Sequence, residues 1–424
     1  MSNQNKQYPS EMETYIDKKS GRKVTKLTKT GTNYHFYFTE NSFTLGDEEI
    51  LYLHSDLPFG SARCFDLYAM NLKTGVRTQL SDFSGRFKSW EFKTKSRDSK
   101  FFICECDNVI YRMDRDTSAL TPLYMIPKDF VSTGCSISYD NRYLAICLSE
   151  KITFNRKFTG CNYDGFAERF HAIKRGRIML VSLDGLEQEL LIQDTHHVQH
   201  VQFAPDSNEF LSYCHEGPWH LVRQRMWLFN LITRRLSPCF RQVPDDSVGH
   251  EFWTRDGLLF FDNRGPGHDG TITVDKTQAV AVDESVGSAI PKVGFADRYG
   301  NILRYFELPY YCNHYHANND NTLLVGDAVE DIVLMNISTD HPTYEILCEH
   351  NTSWVAQLTH PHPCFSWSCD KILFASDRDK QGESQLYCVS MNEYKAQNKN
   401  KRKRDRRNLF LLFFMKLTTT IYIS

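Results

Sequence analysis

The residues with the clearest chemical potential form the run Gln357-Leu358-Thr359-His360-Pro361-His362-Pro363. Each histidine precedes a proline, which biases its backbone toward extended conformations and away from helix. In an extended segment, residues i and i+2 point to one side, so His360 and His362 are expected to converge on a single ion. Gln357, three residues before His360, is placed to add an amide oxygen. A closed site needs a third imidazole. The best source is His314 in Cys312-Asn313-His314-Tyr315-His316, with His316 as its rival. Three neutral imidazoles and one amide oxygen contain no thiolate and no ligand charge, a set suited to Mn²⁺ or another borderline divalent ion. Alternating histidines alone are more often a surface or packing feature, so the reading depends on a spatial partner.

Two further segments carry polar side chains next to tryptophan. One is Cys214-His215-Glu216-Gly217-Pro218, followed by Arg225-Met226-Trp227; the other is Gly249-His250-Glu251-Phe252-Trp253. Hydrogen-bonded core histidines are the plain alternative for His215 and His250. Neither His-Glu pair extends to the His-Glu-x-x-His pattern of zinc proteases, and no helix surrounds them. There is no Gly-x-Ser-x-Gly elbow and no Walker loop. His200 lies ahead of the run Asn208-Glu209-Phe210-Leu211, where a substrate contact at the mouth of a loop is possible.

These residues must be positioned by repeats, and the repeats are short strands. Apolar runs rich in Val, Ile, Leu, Phe and Tyr, bounded by Asp, Asn, Gly and Ser turns, begin near positions 47, 99, 141, 208, 256, 321 and 370. Their spacing of about 54 residues is a little longer than the roughly 40–50 of typical propeller blades. No amphipathic helix longer than two turns is evident, so the chain is predicted to be all-β, a seven-bladed β-propeller. The seventh unit lacks a last strand, and residues 17–28 look like an orphan copy of one. Pairing that N-terminal strand into the last blade closes the ring and removes an open edge. Residues 1–395 are thus read as one propeller domain. In such a ring the loops before the innermost strands gather at one mouth of the axis, so His314, ahead of blade six, neighbours His360, ahead of blade seven. Residues 396–424 are a basic and then apolar tail, with seven Lys or Arg among residues 399–407, expected to be disordered or non-functional.

Composition narrows the function classes. The formal net charge is −2 and the body has no basic face, which argues against a nucleic-acid role. No apolar run reaches the roughly 18 residues of a membrane span. The start MSNQNKQYPS lacks the apolar core of a secretory signal. The 13 cysteines have no disulfide framework, so reduced thiols and a cytoplasmic location are expected. The close pairs Cys104/Cys106 and Cys364/Cys369 lack zinc-ribbon spacing and are read as core or strand residues.

The stretches CHEGPWHLVRQRMW, GHEFWTRDG, HYHANNDNTLLVGD and EHNTSWVAQLTHPHPCF, followed by ILFASD, resemble the oligogalacturonate lyases, and weaker similarity runs over residues 10–392. The resemblance implies a seven-bladed propeller with Mn²⁺ on His314, Gln357, His360 and His362. It further implies His250 as the Brønsted base, Arg225 at the active-site mouth, and β-elimination of short oligogalacturonides such as digalacturonate to 4,5-unsaturated uronates in pectin degradation. His215 and His200 are placed as substrate contacts. The chain departs from the family pattern at His314–Asn318, at Arg223–Arg225 and over residues 265–308. The competing readings are a propeller that only binds protein partners, the propeller of a serine peptidase, which needs a hydrolase domain this chain has no room for, and an inactive family member.

Overall fold

A computed structural model describes residues 3–57, 64–158, 164–264, 291–339, 341–392 and 394. The described residues form seven antiparallel sheets of four or five strands, the seven blades expected from the repeats. Each repeat start falls just before the second strand of a blade: Glu49–Ser55, Phe101–Cys106, Tyr143–Glu150, Phe210–His215, Leu259–Asn263, Leu323–Asp327 and Lys371–Ser376. These strands are buried almost throughout, because each has a strand on both sides and a blade above and below. A strand buried on both faces reads as a continuous apolar run rather than an alternation. Ahead of six of them stands a residue with left-handed backbone: Asp47, Ser99, Asn141, Gly257, Asn321 and Cys369. Such turns favour Gly and Asn, which take positive φ at low cost.

The ring closes as expected and then goes further. Lys23–Lys26 pairs with Gln385–Ser390, placing Val24 opposite Val389. Glu13–Ile16 adds a fifth strand outside it. The chain then reaches the next blade, where Gln7–Tyr8 pairs with Arg77–Gln79. The N-terminal segment therefore covers the outer edges of the first and last blades together, and the Arg77–Glu11 ion pair at 2.8 Å pins the crossing. Hydrophobic clusters fill the spaces between neighbouring blades, so the core is a ring of interfaces. Residues 291–308 supply the last two strands of blade five, Lys292–Ala296 and Ile302–Glu307; the rest of the divergent stretch 265–308, and the tail 396–424, lie outside the described residues. The one described α-helix, Phe166–Ala172, is two turns long, and no described helix is long and apolar enough to cross a membrane. None of the described cysteines is in a disulfide; Cys104, Cys106 and Cys364 lie buried in strands and Cys369 in a turn.

Candidate metal centre and active-site mouth

His314 stands directly before Tyr315–Ala317, the innermost strand of blade six, and His360 and His362 directly before Cys364–Phe365, the innermost strand of blade seven. Neighbouring loops therefore deliver three imidazoles to one place. The rings of His314 and His362 are 4.2 Å apart, and His360 lies 5.6 Å from each. One nitrogen from each of the three lies within 4.8 Å of the others. His360 is extended as expected, with φ −68 and ψ 137. His362 is not: its φ of 45 is left-handed, so the two rings do not meet by simple strand alternation. The following proline disfavours right-handed helix at His362, and a tertiary contact selects the left-handed alternative, because the His362 N–H donates to Asp327 Oδ2 at 3.1 Å.

Asp327, fully buried at the end of Leu323–Asp327, organises the cluster. Oδ1 accepts the backbone N–H of His314 at 2.6 Å, and Oδ2 lies 2.8 Å from His314 Nδ1. A protonated Nδ1 held by a carboxylate leaves the Nε2 lone pair as an acceptor, which the Asn313 amide nitrogen approaches at 3.3 Å; a carboxylate on the far nitrogen is the usual support of a metal-binding histidine. Sequence reasoning missed Asp327, since a strand-final Asp looks like any other turn residue. Gln357 lies in a 3-10 turn, Gln357–Thr359, with its amide 3.3 Å from His362 Nε2. Burial, then the proximity of the His314 ring, holds His360 and His362 well below the ordinary imidazole range, so both stay neutral. His316 is separate from this group. Its ring stacks on Phe252 at 5.8 Å, its Nδ1 accepts the Phe365 N–H, and burial followed by Arg255 pushes it down to about 3.

The opposite side of the mouth is built by blades four and five. His250 lies on the innermost strand Val248–Trp253, where the register shifts between Val248 and Glu251. Such a bulge re-aims side chains, and the His250 ring comes to 4.3 Å from His314 and 5.2 Å from Trp219. Gly249 permits this, because a Cβ there would lie 2.0 Å from the Trp219 ring. Burial first, then the electrostatic influence of neighbouring His314, Arg264 and Arg225, holds His250 well below the usual imidazole value. Its Nδ1 is buried without a hydrogen-bond partner among the described residues.

His200, on Val198–Phe203, also sits at a register shift and has φ 51. Its Nδ1 is 3.2 Å from Glu251 and its Nε2 3.5 Å from Glu216. The ring of Tyr37 spans the mouth, 5.6 Å from His200 and 4.8 Å from His362.

Two of the expected site residues are engaged by the protein's own acids. Arg225 reaches the mouth, but its fork faces the protein's own acids. Nη1 and Nη2 lie 3.0 and 3.2 Å from the two oxygens of Glu216, and Nε donates to Glu251 at 2.8 Å. Only 1% of its side chain is exposed, so the fork is turned to protein acids rather than to the open mouth. Burial would raise Glu216; Arg225 and then His200 bring it down to about 2. His215, at the end of Phe210–His215, gives Nε2 to Asp194 at 2.8 Å and stacks on His196 at 4.1 Å, forming a group of its own between blades three and four.

With this geometry in place, the comparisons with known proteins are specific. A family model described as oligogalacturonate lyase matches residues 2–276. The chain belongs to the oligogalacturonate lyase family. It is 26% identical to the oligogalacturonide lyase of Pectobacterium atrosepticum, over 90% of this chain and 97% of that one. The oligogalacturonate lyase of Dickeya dadantii is also 26% identical, over 89% of this chain and 95% of that protein. Among solved structures, an oligogalacturonate lyase in complex with manganese superposes with a TM-score of 0.75 at 25% identity, covering 92% of this chain and 98% of that one. A second family structure, from Vibrio parahaemolyticus, has the same TM-score at 22% identity and shows the shared fold. The matches span nearly the whole length of these family members.

Proposed function

We propose that this chain cleaves short oligogalacturonides, such as digalacturonate, by β-elimination, with a divalent ion, Mn²⁺ by preference, held at the axis. The observation that carries the reading is the meeting of three imidazoles within 4.8 Å, with His250 only 4.3 Å from one of them. The donor set fits the ion: His360 and His362 are kept neutral by burial, Asp327 directs Nε2 of His314 outward, and the Gln357 amide can offer its oxygen by a half-turn. When bound, the ion offsets the charge of the C6 carboxylate, which otherwise makes the neighbouring C5 hydrogen a very weak acid.

The remaining steps fall to the side chains. His250, neutral and with an unpartnered Nδ1, accepts the C5 proton. The C4–O bond then breaks with its electron pair on the departing oxygen, which takes up a proton from water, and the other product keeps a 4,5-unsaturated end. His200, held between Glu216 and Glu251, contacts the substrate across the mouth. Arg225 acts as a positioning residue by fixing those two glutamates. His215 stays outside this reading because its Nε2 is engaged by Asp194. The propeller, residues 1–395, is taken as the single catalytic unit, and the free thiols of the described cysteines are consistent with the cytoplasm.

The test is metal analysis of the purified protein together with the ultraviolet absorbance of the unsaturated product on adding digalacturonate. One divalent ion per chain and a metal-dependent rise in absorbance are expected. A protein that retains neither ion nor activity after reconstitution with Mn²⁺ overturns the reading and leaves a propeller with another task.

A further inference from the structure

We propose that Arg264 is the cation that grips a substrate carboxylate beside His250, a task for which the fork of Arg225 is not free. The proposal rests on the lyase reading above and names one more residue that touches the substrate. Arg264 directly follows the second strand of blade five, Leu259–Asn263, whose end faces the same mouth as the start of the innermost strands. Its guanidinium is fixed on nearly every side. Nε donates to Asp262 Oδ2 at 3.1 Å, and Nη2 donates to the carbonyls of Cys312 and Asn313 at 3.0 and 2.9 Å. The rings of Trp219 and Tyr311 lie 4.4 and 4.2 Å from its central carbon.

One nitrogen is left over. Nη1 is buried with no hydrogen-bond partner among the described residues. Buried donors are nearly always satisfied in folded proteins, and an exception on a charged group calls for a missing partner. The contrast with Arg225 defines that partner. Two carboxylates surround Arg225, whereas Arg264 has one carboxylate and otherwise carbonyl groups, so it keeps attraction for an added anion.

Its position suits the reaction. Trp219 touches both Arg264 and His250, and the Asn313 carbonyl that Nη2 binds belongs to the neighbour of His314. A galacturonide carries one carboxylate per sugar, so a dimer can present one to the axial ion and a second to Nη1 in an end-on, charge-assisted contact. Access adds no separate requirement. Arg264 is 2% exposed, His314 0% and His250 6%, so an opening that admits a sugar to those imidazoles is needed in any case.

The experiment measures digalacturonate binding by calorimetry in Mn²⁺-loaded His250→Ala protein, with and without Arg264→Gln, and repeats it with digalacturonates methyl-esterified on one sugar or the other. Arg264→Gln is expected to weaken acid binding roughly 10- to 100-fold, the range of a charge-assisted hydrogen bond, and to abolish discrimination against one of the two esters. Arg264→Lys, which keeps the charge, is expected to restore part of the loss and serves as the readout if the Gln variant does not fold. Unchanged discrimination in folded Arg264→Gln or Arg264→Lys protein overturns the proposal, since a merely structural role weakens acid and ester alike. If wild-type protein forms no unsaturated product, the lyase reading fails first and this proposal with it.

Discussion

The two flanks of the propeller mouth solve the same problem, holding polar groups away from water, by opposite means. On the flank of blades six and seven the reactive groups are imidazoles organised by a single carboxylate, Asp327. That carboxylate takes two contacts from His314 and one from the His362 backbone. On the flank of blades four and five the groups are charged. Arg225 lies between Glu216 and Glu251, and both acids also approach His200. The difference shows what each flank is prepared for. Neutral nitrogen donors are ready for a cation that arrives from outside, whereas paired charges already satisfy one another and serve as a rigid frame. A buried acid is tolerated in either setting only because donors meet its oxygens.

This contrast can be broken in steps. Replacing both His360 and His362 by Ala strips the neutral flank of its donors; turnover should fall on the order of 10⁴-fold, several kcal/mol of transition-state stabilisation, with bound metal lost by elemental analysis and the fold unchanged by circular dichroism. His250→Ala should lower kcat roughly 10²- to 10⁴-fold, the usual contribution of a general base, yet leave metal content at the wild-type level. Finding both lost together would mean that His250 belongs to the ion site. On the charged flank, Glu251→Gln removes the charged acceptor of the buried Arg225 Nε and should cost about 3 kcal/mol of stability in denaturant unfolding, with metal affinity untouched. The smallest effect is expected for Asp327→Asn, about 10- to 100-fold in metal affinity. A larger loss of fold than of metal binding in that variant would make Asp327 a structural residue first.

Legibility in the sequence differed between these levels. The second strands of the blades were plain, since burial on both faces forces uninterrupted apolar runs such as Tyr143–Glu150. The innermost strands were nearly silent. Tyr315–Ala317 and Cys364–Phe365 are three and two residues long, too short for any period to register, and they are the strands that carry the site. His360 and His362 were found only because prolines follow them and the spacing is two.

The amino-acid sequence alone determined the seven-fold repeat, the closure by residues 17–28 and the presence of three histidines able to share an ion, because these depend on local composition and on strand pairing that any closed ring requires. The tertiary structure decided the rest. It chose His314 over His316, turned His362 into a left-handed conformation, brought Asp327 beneath both, and closed the fork of Arg225 on Glu216. Each of those outcomes depends on a partner from another blade or from a distant part of the same one, and the energy of a buried hydrogen bond or ion pair exists only once the ring has brought the two together.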